Sequence, residues 1–238
     1  MEQKGGKSLQ GNNIVKPDSA IGLEITFYTD PLCCWTWAMW PQWKNLLAHL
    51  EGVIPVAVKY KMGGLLPSWK HFNDSINSIR NPVQMGPEWM LARVLSGATI
   101  NDRIWITDPP ASSFPACIAV KCVELQSSGL VADFLNLVQD AVMVKGLNIA
   151  RNDVLLSCAT SLKSQYPVFD LQKFEKDLIG EEGANLFRKD LQECKYLNIS
   201  RMPTFLFRSP GHCTVLLSGY QTYDSLREAC SRFVASWQ

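Results

Sequence analysis

The order in which strand-like and helix-like stretches follow one another constrains this chain more than anything in its composition. Leu23–Thr29 (LEITFYT) is β-branched and aromatic and stops at the turn signal Asp30-Pro31. The next stretch, CCWTWAMWPQWKNLLAHLEG, repeats Trp37, Trp40, Trp43, Leu47 and Leu50 at three- and four-residue intervals until Gly52 ends the pattern. This predicts an amphipathic helix that starts near Cys33 and Cys34 and kinks at Pro41, which has no backbone N–H to donate. Residues 53–62 (VIPVAVKYKM) then alternate as a second strand up to Gly63-Gly64. A β-α-β opening favours a right-handed crossover into a parallel sheet.

From residue 65 to 198 the pattern is helical, with breaks at Pro82, Pro87 and the DPPASSFP segment, 108–115. Helices are expected over 116–126, 130–145, 152–162 and 171–197, the last broken at Gly180 or Gly183, and Asn152 reads as an N-cap. Strands return at 203–208 (PTFLFR) and 213–217 (CTVLL) around a Ser209-Pro210-Gly211 turn, which predicts a hairpin. A final helix is expected over 222–237, with Leu226, Cys230, Phe233 and Trp237 on one side. The whole predicts an α/β domain in two halves, 23–64 and 199–238, interrupted by an all-helical insert, 65–198, after a flexible tail, 1–22.

Composition removes several classes of function. Lys and Arg number 23 against 22 Asp and Glu, so the net charge of +1 argues against a nucleic-acid partner. The Gly/Asn/Ser/Lys-rich start has no apolar core of the length a secretory leader needs, so none is expected, and no run of about 18 apolar residues predicts a membrane span. The expected compartment is the cytoplasm, with no membrane partner. Eight scattered cysteines do not form a disulfide scaffold; most, such as Cys117, Cys122, Cys158 and Cys230, sit among apolar residues and read as inert core thiols. With only His49, His71 and His212 and no paired knuckles, no metal is expected. No phosphate loop is present either, because Gly63-Gly64 lacks the spacing and the lysine of one.

Chemistry points to Cys33. A thiol where a strand ends and a helix begins faces unpaired N–H groups and the positive end of the helix dipole, both of which favour thiolate. The position predicts a pKa below about 8. The second signal is Arg201-Met202-Pro203-Thr204, a proline at a strand start, where it is sterically tolerated.

The segment Asp30-Pro31-Leu32-Cys33-Cys34-Trp35-Thr36-Trp37 resembles the active-site region of the DsbA-like thioredoxin superfamily, and is most similar to its FrnE-like predicted disulfide isomerases. Similar too are Gly63-Gly64-Leu65-Leu66-Pro67, the segment from Asp108 to Lys121, Asn148-Ile149-Ala150-Arg151 and Met202-Pro203-Thr204-Phe205. The resemblance runs from about Glu24 to Trp237. It implies a thioredoxin-like fold with an all-helical insert, a cis-proline at Pro203 facing the cysteine, and an extended substrate paired with the backbone at Met202. Cys33 and Thr36 are the catalytic candidates; Cys34, Trp35, Trp37, Met202 and Pro203 are the substrate-binding candidates.

The sequence departs from the family at Thr36, where the pattern has a second cysteine. A Cys33–Cys34 bridge is disfavoured, since adjacent α-carbons lie about 3.8 Å apart, closer than disulfides prefer. The expected chemistry is therefore monothiol, with Thr36 donating to the Cys33 thiolate, no resident cofactor, and glutathione or protein thiols and disulfides as co-substrates. Two alternatives accompany this disulfide isomerase or oxidoreductase reading. One is a kappa-class glutathione transferase or isomerase-like enzyme, with Trp35, Trp37, Trp40 and Trp43 lining its pocket. The other is a non-catalytic adaptor that binds a partner protein, as some cytoplasmic Gram-positive relatives of this family resemble.

Overall fold

The computed structural model describes residues 22–72, 79–212 and 214–234. Its core is a four-stranded sheet in the order β2-β1-β3-β4, built from β1 (Leu23–Thr29), β2 (Val56–Met62), β3 (Thr204–Arg208) and β4 (Val215–Ser218). β1 runs parallel to β2 and antiparallel to β3, which pairs antiparallel with β4. The helix α1 (Cys34–Leu50) makes the crossover from β1 to β2. Between β2 and β3 lie α2 (Met85–Ser96), α3 (Ile104–Thr107), α4 (Phe114–Glu124), α5 (Val131–Met143), α6 (Asn152–Gln165), α7 (Leu171–Ile179) and α8 (Glu182–Tyr196). A last helix, α9 (Tyr223–Ser231), follows β4.

β1 is central and flanked on both sides, so nearly all its side chains are buried, as its unbroken apolar and aromatic run requires. Phe27 stacks on Phe205 across the β1–β3 pair, with ring centroids 4.2 Å apart, and both meet Trp43 from α1 at 5.4 and 5.2 Å. The Trp43 indole donates to Tyr60 Oη on β2 (3.1 Å), so the buried polar tip of the ring is paired. One apolar cluster continues from this sheet into α2 through α8.

A fully buried lysine joins the insert to the sheet. Lys121 on α4 pairs with Asp190 on α8 at 2.8 Å and with Glu124, and donates to the Tyr60 carbonyl on β2 (3.3 Å). Asp190 also pairs with Lys61 (3.0 Å) and accepts from the Met62 N–H (3.0 Å). Burial weakens the Lys61 ammonium, yet the facing Asp190 and Glu193 carboxylates outweigh it and hold its pKa up.

Several boundaries differ from the sequence reading. β2 starts at Val56 rather than 53, because the Val53 and Ile54 N–H groups close a turn on the Leu50 carbonyl and Pro55 has none to give. The N-cap of α6 is Arg151, with extended backbone; Asn152 is the first helical residue, and the Asn148 side chain closes the preceding turn on the Ala150 N–H. Gly180, not Gly183, separates α7 from α8. The helix α2 falls where Pro82 and Pro87 suggested only breaks, and the short α3 lies just before the 108–115 break, outside the helices expected from periodicity. Pro87 sits in the first turn of α2, where its missing N–H has no intrahelical partner to lose. α9 ends at Ser231; Cys213 and Trp237 lie outside the described residues.

Candidate active site

Cys33 is the N-cap of α1, with extended backbone (φ −78°, ψ 105°), and its own N–H donates to the Asp30 carbonyl (2.9 Å). The side chain is 4% exposed. Its thiol donates to the Met202 carbonyl oxygen at 3.4 Å, and the Met202–Pro203 peptide bond is cis. The site thus brings together two segments 169 residues apart in sequence. The Met202 thioether occupies the space a Cβ at Gly63 would take, so the absent side chain at Gly63 leaves room for the Met202 side chain in this arrangement.

The electrostatics reverse the expectation of an acidic thiol. Burial is the largest influence and pushes the Cys33 pKa up to about 11; Asp30 pushes the same way. The Thr36 hydroxyl and the Trp35 and Thr36 N–H groups act in the opposite direction, as a helix start should, but they do not win. Neither N–H closes a capping hydrogen bond on the sulfur, which leaves the dipole argument with less grip than the sequence position suggested. In this conformation Cys33 is a protonated donor at neutral pH.

Asp30 is fully buried and ringed by donors. Its carboxylate accepts from the Leu32 N–H (2.8 Å), the Leu65 N–H (2.6 Å), Ser113 Oγ (2.8 Å) and Cys117 Sγ (3.3 Å). Burial raises its pKa, and these four bonds oppose the rise. In sequence Asp30 reads as a turn residue and as the first residue of the active-site motif, with no partner for its carboxylate in view. Its role here is to gather the loop after β2 and the start of α4 around the cysteine turn, which explains why Gly63-Gly64-Leu65-Leu66 and Ser112-Ser113 accompany the Asp-Pro-x-Cys motif. Thr29 is the second residue that sequence reading missed. Its hydroxyl donates to Thr36 Oγ1 at 2.9 Å, with both side chains buried.

The other candidates divide. Thr36, Met202 and Pro203 lie with Cys33. Cys34 is 3% exposed and packs into the apolar core, with its own pKa raised by burial. Trp35 and Trp37 are half-buried: the Trp35 indole donates to Glu88 on α2 and faces the Tyr220 ring, and the Trp37 indole donates to the Thr99 carbonyl (3.0 Å). Trp40 and Trp43 belong to the core, Trp40 donating to Gln139 Oε1. Among the described residues no three His, Cys, Asp or Glu side chains converge on a metal-sized site, and no helix is long and apolar enough to cross a membrane.

A four-stranded sheet of this topology, an active-site helix capped by cysteine, a cis-prolyl turn against the sulfur and a helical insert between the two halves define a thioredoxin-type fold of the DsbA-like kind. The family model described as Thioredoxin matches residues 27–228, so the chain belongs to that family. Of solved structures, a "putative protein disulfide isomerase" from Nitrosomonas europaea is similar at a TM-score of 0.72 and 20% identity, covering 90% of this chain and 98% of that one. The cytosolic disulfide reductase DsbM from Pseudomonas aeruginosa is similar at a TM-score of 0.62 and 20% identity, covering 90% and 94%. Among curated proteins, the ClpXP adapter protein SpxH of Halalkalibacterium halodurans is 27% identical over 185 residues, 78% of this chain and 58% of that protein. The chain spans about three fifths of the length of the curated relatives it matches.

Proposed function

We propose that the chain is a cytoplasmic thiol–disulfide oxidoreductase or disulfide isomerase that works through the single sulfur of Cys33. The observation that carries this reading is the contact of Cys33 Sγ with the Met202 carbonyl beside Pro203. In that contact the Cys33 sulfur lies against backbone that an extended disulfide substrate can pair with. Support for the compartment and the co-substrate comes from DsbM, described as cytosolic and also solved with GSH.

The chemistry needs only the groups present. Cys33 gives up its proton and its thiolate attacks one sulfur of a substrate disulfide, forming a mixed disulfide and releasing the other sulfur as thiolate. With Thr36 in place of a resolving cysteine, a second thiol of the same substrate can attack its own sulfur in the mixed disulfide. That returns Cys33 with no net redox change and gives isomerisation. Alternatively two glutathione molecules finish the job in turn: both substrate sulfurs leave as thiols, and the glutathiones leave as one disulfide, which is reduction. A strong oxidant is not expected, because no internal dithiol stores the electrons.

The test is refolding of a scrambled disulfide protein and reduction of a model disulfide, each in a glutathione buffer, with the wild type and Cys33→Ser. Activity lost in Cys33→Ser supports the reading; equal activity in both sinks it.

A second reading, a non-catalytic adaptor that binds a partner protein, is favoured by the curated relatives, which are named as ClpXP adapters, and by the burial of Cys33. Pull-down of partners that is indifferent to Cys33→Ser, together with no disulfide turnover, selects it.

A further inference from the structure

We propose that Thr29, the last residue of β1, is a positioning residue for the Cys33 sulfur and acts on it through the Thr36 hydroxyl. The inference deepens the reading of Cys33 as a working thiol and rests on it.

The local sequence of β1 does not ask for a hydroxyl at this point. β1 is buried between two strands, Thr29 is 0% exposed, and Val fills the same volume without a polar group to satisfy. The hydroxyl is used, however, and it points along the strand end into the first turn of α1, donating to Thr36 Oγ1 at 2.9 Å. A threonine hydroxyl has one hydrogen. Since Thr29 fills the acceptor side of Thr36 Oγ1, the single Thr36 hydrogen is turned away from Thr29 and left for another acceptor; Thr36 is the third helical residue after the Cys33 N-cap, and its hydroxyl opposes the rise in the Cys33 pKa. Two hydroxyls in series polarise each other in a dry interior. The same residue also grips the opposite wall: the Thr29 carbonyl accepts from the Gly63 N–H (2.7 Å), the glycine against which the Met202 side chain rests. The charged and titratable neighbours that set the background for Cys33 are Asp30 on the loop and Cys34 on α1, with Glu88 of α2 acting on Cys34; none of them touches the Thr29 hydroxyl.

The readout is the pH profile of Cys33 alkylation by iodoacetamide, resolved to this residue by peptide mass spectrometry on the full chain. Wild type, Thr29→Val, Thr29→Ser, Thr36→Val and the Thr29→Val/Thr36→Val double variant are compared. Thr29→Val is expected to shift the profile to higher pH and slow alkylation on its rising limb by roughly three- to tenfold, the worth of one hydrogen bond. Thr29→Ser keeps the wild-type profile, and the double variant matches Thr36→Val alone. An unshifted profile in Thr29→Val overturns the proposal, as does a double variant whose shift is the sum of the singles. Thr29→Ser guards against a Thr29→Val that does not fold, since a serine shifted away from wild type shows that the methyl group, not the hydroxyl, matters. Because alkylation needs no substrate, a Thr29-dependent profile without disulfide turnover sinks the proposed function and leaves this inference standing. A Cys33 that resists alkylation at every pH sinks both.

Discussion

The Cys33 thiol donates its proton to the Met202 carbonyl, 3.4 Å away, so the sulfur and the prolyl turn hold each other in a closed, neutral pair. At neutral pH the thiol therefore reacts slowly. With a pKa of about 11, alkylation of Cys33 is expected to rise tenfold per pH unit through the range 8 to 10 and to level off near 11. A stopped reaction series quantified by mass spectrometry checks this. A plateau already reached at pH 8 would show that the sulfur leaves the Met202 contact in solution.

The Met202 side chain beside the pair rests against Gly63. A methyl group there collides with the thioether, the far end of that flexible side chain, so Gly63→Ala forces the Met202 side chain to repack. The expected result is a Cys33 that alkylates faster than wild type at neutral pH, because the repacked Met202 side chain covers the sulfur less tightly, together with a thermal midpoint lowered by a few degrees. Unchanged alkylation with an unchanged midpoint contradicts the packing described above.

Thr36→Cys tests whether the site is a dithiol centre lacking one atom. Residues three apart at a helix start fall within roughly the 4.4 to 6.8 Å between α-carbons that disulfides prefer. Oxidation is expected to link positions 33 and 36 within one chain, seen as one intact cross-linked peptide, and to raise oxidation of a dithiol substrate well above wild type. Intermolecular dimers instead would mean that the two side chains diverge.

Burial of thiols sets the alkaline limit of stability. Cys33, Cys158 and Cys194 are pushed up to about 11, and Cys122 and Cys230 to about 12, against 9.0 for a free thiol. The unfolded chain loses these protons first as the pH rises, so unfolding is favoured progressively from about pH 9 to about 11 or 12, and the stabilisation is complete only below 9. Urea midpoints measured from pH 7 to 11 should fall steeply above 9. Cys194→Ala should flatten the slope, and a curve identical to wild type would refute the shift.

The regular elements were legible because they obey simple periods. β1 is a continuous apolar run that only a two-sided strand can bury, and the tryptophans of α1 repeat at helical spacing on the side where Trp40 and Trp43 meet the sheet. Cys33 stood out by its place at a helix start and Met202-Pro203 by its place before a strand, whereas Thr36 and the pairing of these segments came only from the family resemblance. The thiol's ionisation was not legible, because it depends first on burial, to which the Met202 turn 169 residues away contributes, and nothing near Cys33 in sequence announces that contact. The same reason hides Thr29 and Asp30: a hydroxyl or carboxylate announces its partner only when folding brings residues 7 to 87 positions away against it. α2 was missed because Gly86 and Pro87 look like a break and are instead its first turn.

In sequence Lys121 ends a motif segment with nothing to mark it as a structural charge, yet it is a fully buried cation among the described residues. Its side chain and that of Asp190 are both 0% exposed, and Asp190 also answers Lys61 and the Met62 N–H. Removing one member leaves a charge without its main partner in a dry interior. Asp190→Ala is therefore expected to cost about 3–5 kcal/mol in urea unfolding, with Lys121→Ala similar. Replacing both, as Lys121→Met with Asp190→Leu, removes the charge imbalance and should cost far less than the sum of the single changes. The ion pair fastens α4 and α8 to β2, whose end leads into the Gly63 loop that receives Met202. Asp190→Ala should consequently speed Cys33 alkylation as well as lower stability. A variant as stable as wild type, or one destabilised with no change at Cys33, would show that the insert and the sulfur site are not mechanically joined.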